Sequence, residues 1–387
     1  MINLVLSLDY EIFGNGSGDV RRDMIEPTRR LLTLCDRYGA KVTIFFEVVE
    51  YWAMKKAEGQ GLQNLGYSSS REIEDQLRSA VQSGHDVQLH LHPWWVGAEF
   101  EAGRWRLNPQ YKQITDLPHG LGSEGDIFSI AGVLSQGKRT LEAMIKPGCP
   151  DYSCLVYRAA MFWGQPSEIL IAGLKHAGFL ADSSVVKGLY EKTPVYTDYR
   201  RAESLMGYWW TRANDISRSG PKGEHIIEFP VYCKMRPYVW NFKWSKLSTT
   251  LKRRSVEKAN THGHGMMTSR NSTESSRGIM RKLLTLQPMK FDYCKLSAGD
   301  MIRWLRHSIK NTPECKDSLG LPMVILGHSK DFWNDRNLEM FLEFIQNECK
   351  EKVRFSTLGE LTKRIITKDN VQGFSADPKT LHLSHKS

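Results

Sequence analysis

The sequence predicts an α/β fold: a parallel barrel of βα units with helices outside and long insertions. Two observations carry that prediction. Short apolar runs alternate with helix-like stretches through the N-terminal two-fifths, which is the rhythm of parallel βα units. Polar residues able to do chemistry then end one apolar run after another, as they do at the C-terminal mouth of such a barrel. Hydrophobic residues make up 41% and charged residues 25% of the 387-residue chain. That is ordinary globular usage and excludes a disordered or collagen-like protein.

INLVLSLD (2–9), rich in Leu and Val, reads as a buried strand. Residues 27–38 carry apolar positions at helical spacing, and KVTIFFEVV (41–49) reads as the second strand. A helix over 70–82 starts at a serine with acidic residues in its first turn. Gly84 closes it, and HDVQLHLH (85–92) is the third strand. LVYRA (155–159), FLADSS (179–184), HIIEFPVY (225–232) and PMVILGH (322–328) read as further strands, with a helix over 167–177. A helix near 337–347 and VRFSTL (353–358) close the core. The whole of 1–387 is expected to form one domain, with an insertion at 95–125 near the site, a basic insertion at 235–298 and a tail from 366 to 387.

The net charge of +10 is concentrated in one place. Residues 243–282 hold ten Lys/Arg against Glu257 and Glu274, a net of +8, and the rest of the chain carries +2. This segment is rich in Ser, Thr and Gly and lacks hydrophobic periodicity, so it reads as a solvated loop. It suits an anionic partner better than it suggests a nucleic-acid protein. Seven scattered cysteines without a CxxC pair argue against a disulfide framework or a zinc ribbon. No apolar run is long enough for a transmembrane helix. Asp9 interrupts the first apolar run and no basic leader precedes it, so a cytoplasmic location is expected.

The strand-end residues suggest the chemistry. His90 and His92 lie two apart on a strand, so both rings project from one face and can share a divalent ion. Asp9 and Glu11, also two apart, offer the missing carboxylate. Three such ligands leave a position open for water, whose pKa the ion lowers toward neutrality. His328 ends the last long strand and is a candidate acid, with Asp182 as the carboxylate that orients its ring. Arg158 is placed to hold Asp9 ionised. Trp94, Trp95 and Trp163, with Trp105, are candidate sugar-stacking walls.

The order of these motifs resembles the polysaccharide deacetylases of the NodB homology type, carbohydrate esterase family 4. LSLDYE (6–11) is similar to the family's first motif, a strand normally ending in two aspartates, and VTIFFEV (42–48) to the strand that follows. GHDVQLHLHP (84–93) resembles the second motif, with its metal-binding histidines, and YRAAMFWG (157–164) the arginine motif. GFLADSSVV (178–186) is similar to the fourth motif, VILGHSKDF (324–332) to the fifth and FSTLGEL (355–361) to the usual ending. Two departures stand out: Tyr10 replaces the second aspartate, with Glu11 one residue on, and the histidines are His-x-His. Members resembling exopolysaccharide- and lipopolysaccharide-cluster deacetylases share the Asp-x-Glu form.

The resemblance implies a distorted (β/α)7 barrel and a metal-dependent hydrolase that removes an acyl group, acetyl above all, from a sugar or sugar-linked precursor. It assigns Asp9, Arg158, Asp182 and His328 to catalysis, with Asp9 as base and His328 as acid. Asp9, Glu11, His90 and His92 are the candidate ligands of Zn²⁺, with Co²⁺ or Ni²⁺ as substitutes; whether Asp9 or Glu11 supplies the carboxylate stays open. A C–N hydrolase acting on a non-sugar amide, a barrel glycosidase using Asp9 and Glu11, and a silent barrel that binds glycan or biosynthetic partners are the alternatives.

Overall fold

A computed structural model describes residues 1–62, 65–237, 285–312 and 319–369. The basic segment 243–282 and tail residues 370–387 therefore lie outside the described residues. The chain divides into two compact units, one of residues 1–232 with 290–387, the other Cys233–Met289. Within the smaller unit Cys233–Pro237 is a strand; it pairs with the strand Leu286–Lys290 in a two-stranded sheet.

The larger unit is a curled parallel sheet with helices outside. Its strands are β1 (Ile2–Tyr10), β2 (Val42–Glu47), β3 (Asp86–Leu91), β4 (Val156–Ala159), β5 (Ala181–Asp182), β6 (Ile227–Glu228), β7 (Leu321–His328) and β8 (Val353–Phe355). They hydrogen-bond in the order β6-β5-β4-β3-β2-β1-β7, and β8 pairs with the start of β1. Beyond β6 the chain reaches β7 through parallel bridges of Val231 to Val324 and Asp292 to Leu326. Seven strands thus form a ring, as in a (β/α)7 barrel. It is distorted because β5 and β6 are two residues each. A hairpin of Trp209–Arg212 and Asp215–Ser219 adds antiparallel pairing along β6.

The helices are α1 (Glu26–Arg37), α2 (Val48–Gly59), α3 (Ser69–Gln82), α4 (Ile130–Ile145), α5 (Ser167–His176), α6 (Ala298–Asn311), α7 (Asp335–Glu348) and α8 (Leu358–Asp369). Local chemistry starts several of them. Ser68 Oγ accepts from Arg71 N at 3.2 Å ahead of α3, and Ser129 Oγ accepts from Gly132 N at 3.1 Å ahead of α4, each satisfying an amide without an intrahelical partner.

Three expectations change here. The second strand stops at Glu47, because that residue caps α2: its Oε1 accepts from Val49 N at 3.0 Å and Glu50 N at 3.3 Å. The β-branched Val48 and Val49 read as strand but form the first helical turn. VRFSTL likewise splits, with Leu358 opening α8. The 95–125 insertion has structure of its own, a hairpin of Glu99–Glu101 and Arg104–Arg106.

Both faces of the barrel wall are buried, yet they differ. From β1, Tyr10 reaches outward to Gln76 of α3 with a 2.7 Å hydrogen bond, so Leu4, Leu6 and Leu8 share its outer, helix-facing side. The inner positions include Asn3, Ser7 and Asp9 on β1 and Gln88 and His90 on β3, all buried. At the lower end α8 plugs this polar interior: Leu358 N donates to Thr43 Oγ1 and Gly359 N to Asp86 Oδ2, both at 2.9 Å.

Barrel closure depends on a close approach. Tyr293 donates from its backbone to Leu326 O and from its hydroxyl to Ser7 O, and its ring lies against Gly327 where any Cβ would overlap it. Gly327→Ala is expected to destabilise the barrel by about 2 kcal/mol through overpacking, read as a lowered thermal unfolding midpoint.

Candidate metal centre and active site

Register brings the strand ends together. Asp9 of β1 stands beside His328 of β7, and Glu47 of β2 beside His90 of β3, which stands beside Arg158 of β4. Glu11, one residue past β1, and His92, one past β3, extend the same inward-facing rows.

Glu11, Glu47, His90 and His92 each place a ligand atom within 4.8 Å of the others, and all four are buried. Glu11 Oε2 lies 3.0 Å from His92 Nδ1 and 3.4 Å from His90 Nε2, and it has no hydrogen-bond partner. Glu47 Oε2 is 2.7 Å from His92 Nδ1, while its other oxygen caps α2. His90 Nδ1 meets Arg158 O at 2.8 Å, which leaves Nε2 toward the cluster. That backbone anchor is the support that metal-ligating imidazoles use. An orphaned carboxylate oxygen facing two ring nitrogens fits a divalent ion, and a mixed nitrogen and oxygen donor set suits zinc or cobalt.

The charges agree with this arrangement. Burial would raise the Glu11 carboxyl, but His92, Lys330 and His90 hold it well below the usual range. Burial would lower His90, but the facing Glu11 carboxylate, with Asp9 and Glu47 nearby, pushes it up to about 9. Glu50, just behind, is raised well above its ordinary value by burial beside Glu47 and Glu11, and accepts from Ile12 N at 3.1 Å.

Asp9 is not one of the four. Its Oδ1 accepts from Arg158 Nη1 at 2.7 Å, and its Oδ2 lies 3.6 Å from His328 Nε2. Burial would raise its carboxyl, and Arg158, His90 and His328 together bring it below the ordinary value. Arg158 is fully buried, stacks 3.9 Å from the Phe45 ring centroid, and donates to Ser183 O and Ser183 Oγ. His328 is lowered by burial, and its Nδ1 has no hydrogen-bond partner.

Asp182 does not meet His328. It accepts from Ser184 N at 2.7 Å and Ser184 Oγ at 2.9 Å and lies against Glu228. The carboxylates that come within 4.0 Å of the His328 ring nitrogens are Asp9 and Asp331. The reason is local: Asp182 pairs in register with Tyr157 and Glu228, and Ser184 engages both of its oxygens. The expected tryptophans also separate. Trp94 lies 4.3 Å from the His92 ring and is half-buried, whereas Trp95 is buried against Trp105 and carries no free face. Trp163 is buried, its Nε1 donating to Glu191 at 2.7 Å.

Sequence reasoning missed Glu47 and Lys330. Glu47 ends an apolar run as Asp9 and His90 do; reading the strand on through Val49 hid it. Lys330 follows a strand-end histidine by two residues and gave no separate signal.

No protein-family model matches the chain, and no curated protein matches its sequence. Among solved structures the fold is similar to a polysaccharide deacetylase from Mycobacterium smegmatis, at 13% identity and a TM-score of 0.43, covering 95% of this chain and 91% of that one. It is similar to an allantoinase, at 13% identity and 0.45, covering 95% and 90%. It is also similar to a GH57 branching enzyme from Thermococcus kodakaraensis, at 12% and 0.46, covering 93% and 70%. Likeness of this degree, spread over three chemistries, leaves the function to the site.

Burial raises Asp182 to about 6, and burial beside Asp182 raises Glu228 well above its ordinary value. A raised carboxyl stabilises the fold fully below its unfolded pKa, about 4, and that stabilisation is lost as pH rises through the folded value. Glu228→Gln is therefore expected to flatten the fall in melting temperature as pH rises from about 4 through 6, measured by thermal unfolding on either side of that range.

Proposed function

We propose that the chain is a metal-dependent hydrolase that removes an acyl group, acetyl in the first instance, from a sugar or sugar-linked precursor. The observation that carries this reading is the adjacency of two groups of side chains. Four buried ligand groups lie within 4.8 Å of one another, next to an ionised carboxylate that faces a histidine at 3.6 Å.

A divalent ion held by Glu11, Glu47, His90 and His92 would lower the pKa of a bound water and polarise the acyl carbonyl. The protein's own groups do the rest. Asp9, kept ionised by Arg158, takes the proton from the attacking water. Arg158 occupies one Asp9 oxygen and leaves the other toward His328. Asp9 passes that proton across the 3.6 Å gap to His328 Nε2, and His328 gives it to the departing amine or alcohol. Trp94, beside His92, offers a ring face against which a sugar can stack. Among the described residues no helix is long and apolar enough to cross a membrane.

The test is acetate release from a panel of acetylated sugars, nucleotide-sugars and oligosaccharides, with and without chelator. Release that stops with chelator and returns with zinc or cobalt is expected. Asp9→Asn and His328→Ala should each lower turnover by about 10²–10⁴-fold with an unchanged melting profile for the histidine variant. Glu11→Gln should abolish stoichiometric metal uptake. Full turnover in chelator would remove the metal, and near-wild-type turnover in Asp9→Asn would remove the base.

A further inference from the structure

The candidate centre contains a cation supplied by the chain. Lys330 Nζ lies 2.6 Å from Glu11 Oε1 and donates to Ile12 O at 3.0 Å, with little of its side chain exposed. It stands in the turn Ser329–Asp331 that follows β7. The neighbouring Ser329 clamps that turn to the end of β1: its Oγ donates to Glu11 O at 3.1 Å and accepts from Glu11 N at 3.4 Å. The ammonium is therefore delivered to a fixed place.

Its effect on Glu11 follows from which oxygen it takes. Oε1 is engaged by Lys330, while Oε2 faces His92 and His90 without a hydrogen bond. A carboxylate gripped on one oxygen by a buried ammonium presents the other oxygen alone to an ion. Freed of that grip it can rotate and chelate through both, which fills a coordination position that a water would otherwise hold. The ammonium also adds positive charge beside the cluster, and at this distance and burial such a charge opposes a divalent ion strongly.

We propose that Lys330 is a positioning residue of the metal centre, which restricts Glu11 to one-oxygen ligation and moderates the centre's grip on a divalent ion. This rests on the metal-centre reading above. It assigns to Lys330 a trade of affinity for an open coordination position.

The experiment compares metal-free wild-type, Lys330→Met and Lys330→Arg proteins, each titrated with zinc and with cobalt. Wild type takes up one ion per chain. Lys330→Met binds zinc at least tenfold more tightly, and its cobalt form shows a weaker visible absorption band, because a second carboxylate oxygen raises the coordination number. Lys330→Arg keeps both wild-type values, since a guanidinium holds Oε1 and retains the charge. If the methionine protein does not fold, Lys330→Gln shows the same tightening. Equal or weaker zinc affinity together with an unchanged cobalt band in the neutral variants overturns the inference while leaving the metal centre intact. Absence of any ion uptake by wild type removes the metal centre and this inference together.

Discussion

Ionised groups buried at the mouth of a barrel must each meet an opposite charge, and this structure is organised by that requirement. Arg158 is fully buried and spans the interior from β4 to Asp9 on β1, with two further bonds to Ser183 beyond β5. Leaving one member of such a pair unanswered typically costs 3–5 kcal/mol. The pair therefore braces opposite walls of the barrel as well as setting the state of Asp9. Lys330 does the same between β7 and the end of β1, and His92 with Glu47 does so between β3 and β2.

Glu47 shows how one side chain serves both fold and site. One oxygen satisfies the first amides of α2 and the other faces His92. Because the helix start fixes the carboxylate, its second oxygen has little freedom to turn away from the cluster. A residue that looks like an ordinary helix cap is thus also a preorganised candidate ligand. The DSS run of the fifth strand acts differently. Ser183 holds Arg158, Ser184 accepts from Ala159 N, and Asp182 accepts from Ser184. Its contribution to the site is the placement of Arg158, delivered through two serines.

The polar interior has two parts. The lower part, with Asn3, Thr43, Asp86 and Gln88, is satisfied by backbone amides, Arg354 and the start of α8. The upper part keeps unsatisfied atoms, Glu11 Oε2 and His328 Nδ1 among them. Buried polar atoms in folded proteins are rarely left unpaired. Glu11 Oε2 and His328 Nδ1 are such atoms at the mouth, on either side of Asp9.

Much of this was legible along the chain. The alternation of strand and helix gave the barrel, and polar residues at the ends of apolar runs gave Asp9, Glu11, His90, His92, Arg158 and His328, because a strand's period of two forces such pairs onto one face. Where Val48 begins a helix, by contrast, was decided by Glu47 turning its carboxylate onto the following amides, and β-branched residues conceal that locally. Contacts between strands distant in sequence were decided by register alone. It set Asp182 beside Glu228, buried Trp95 but left Trp94 beside His92, and brought Lys330 onto Glu11. Sequence fixes which side chains share a face of one strand; which strand's charge answers another's is settled when the sheet curls shut.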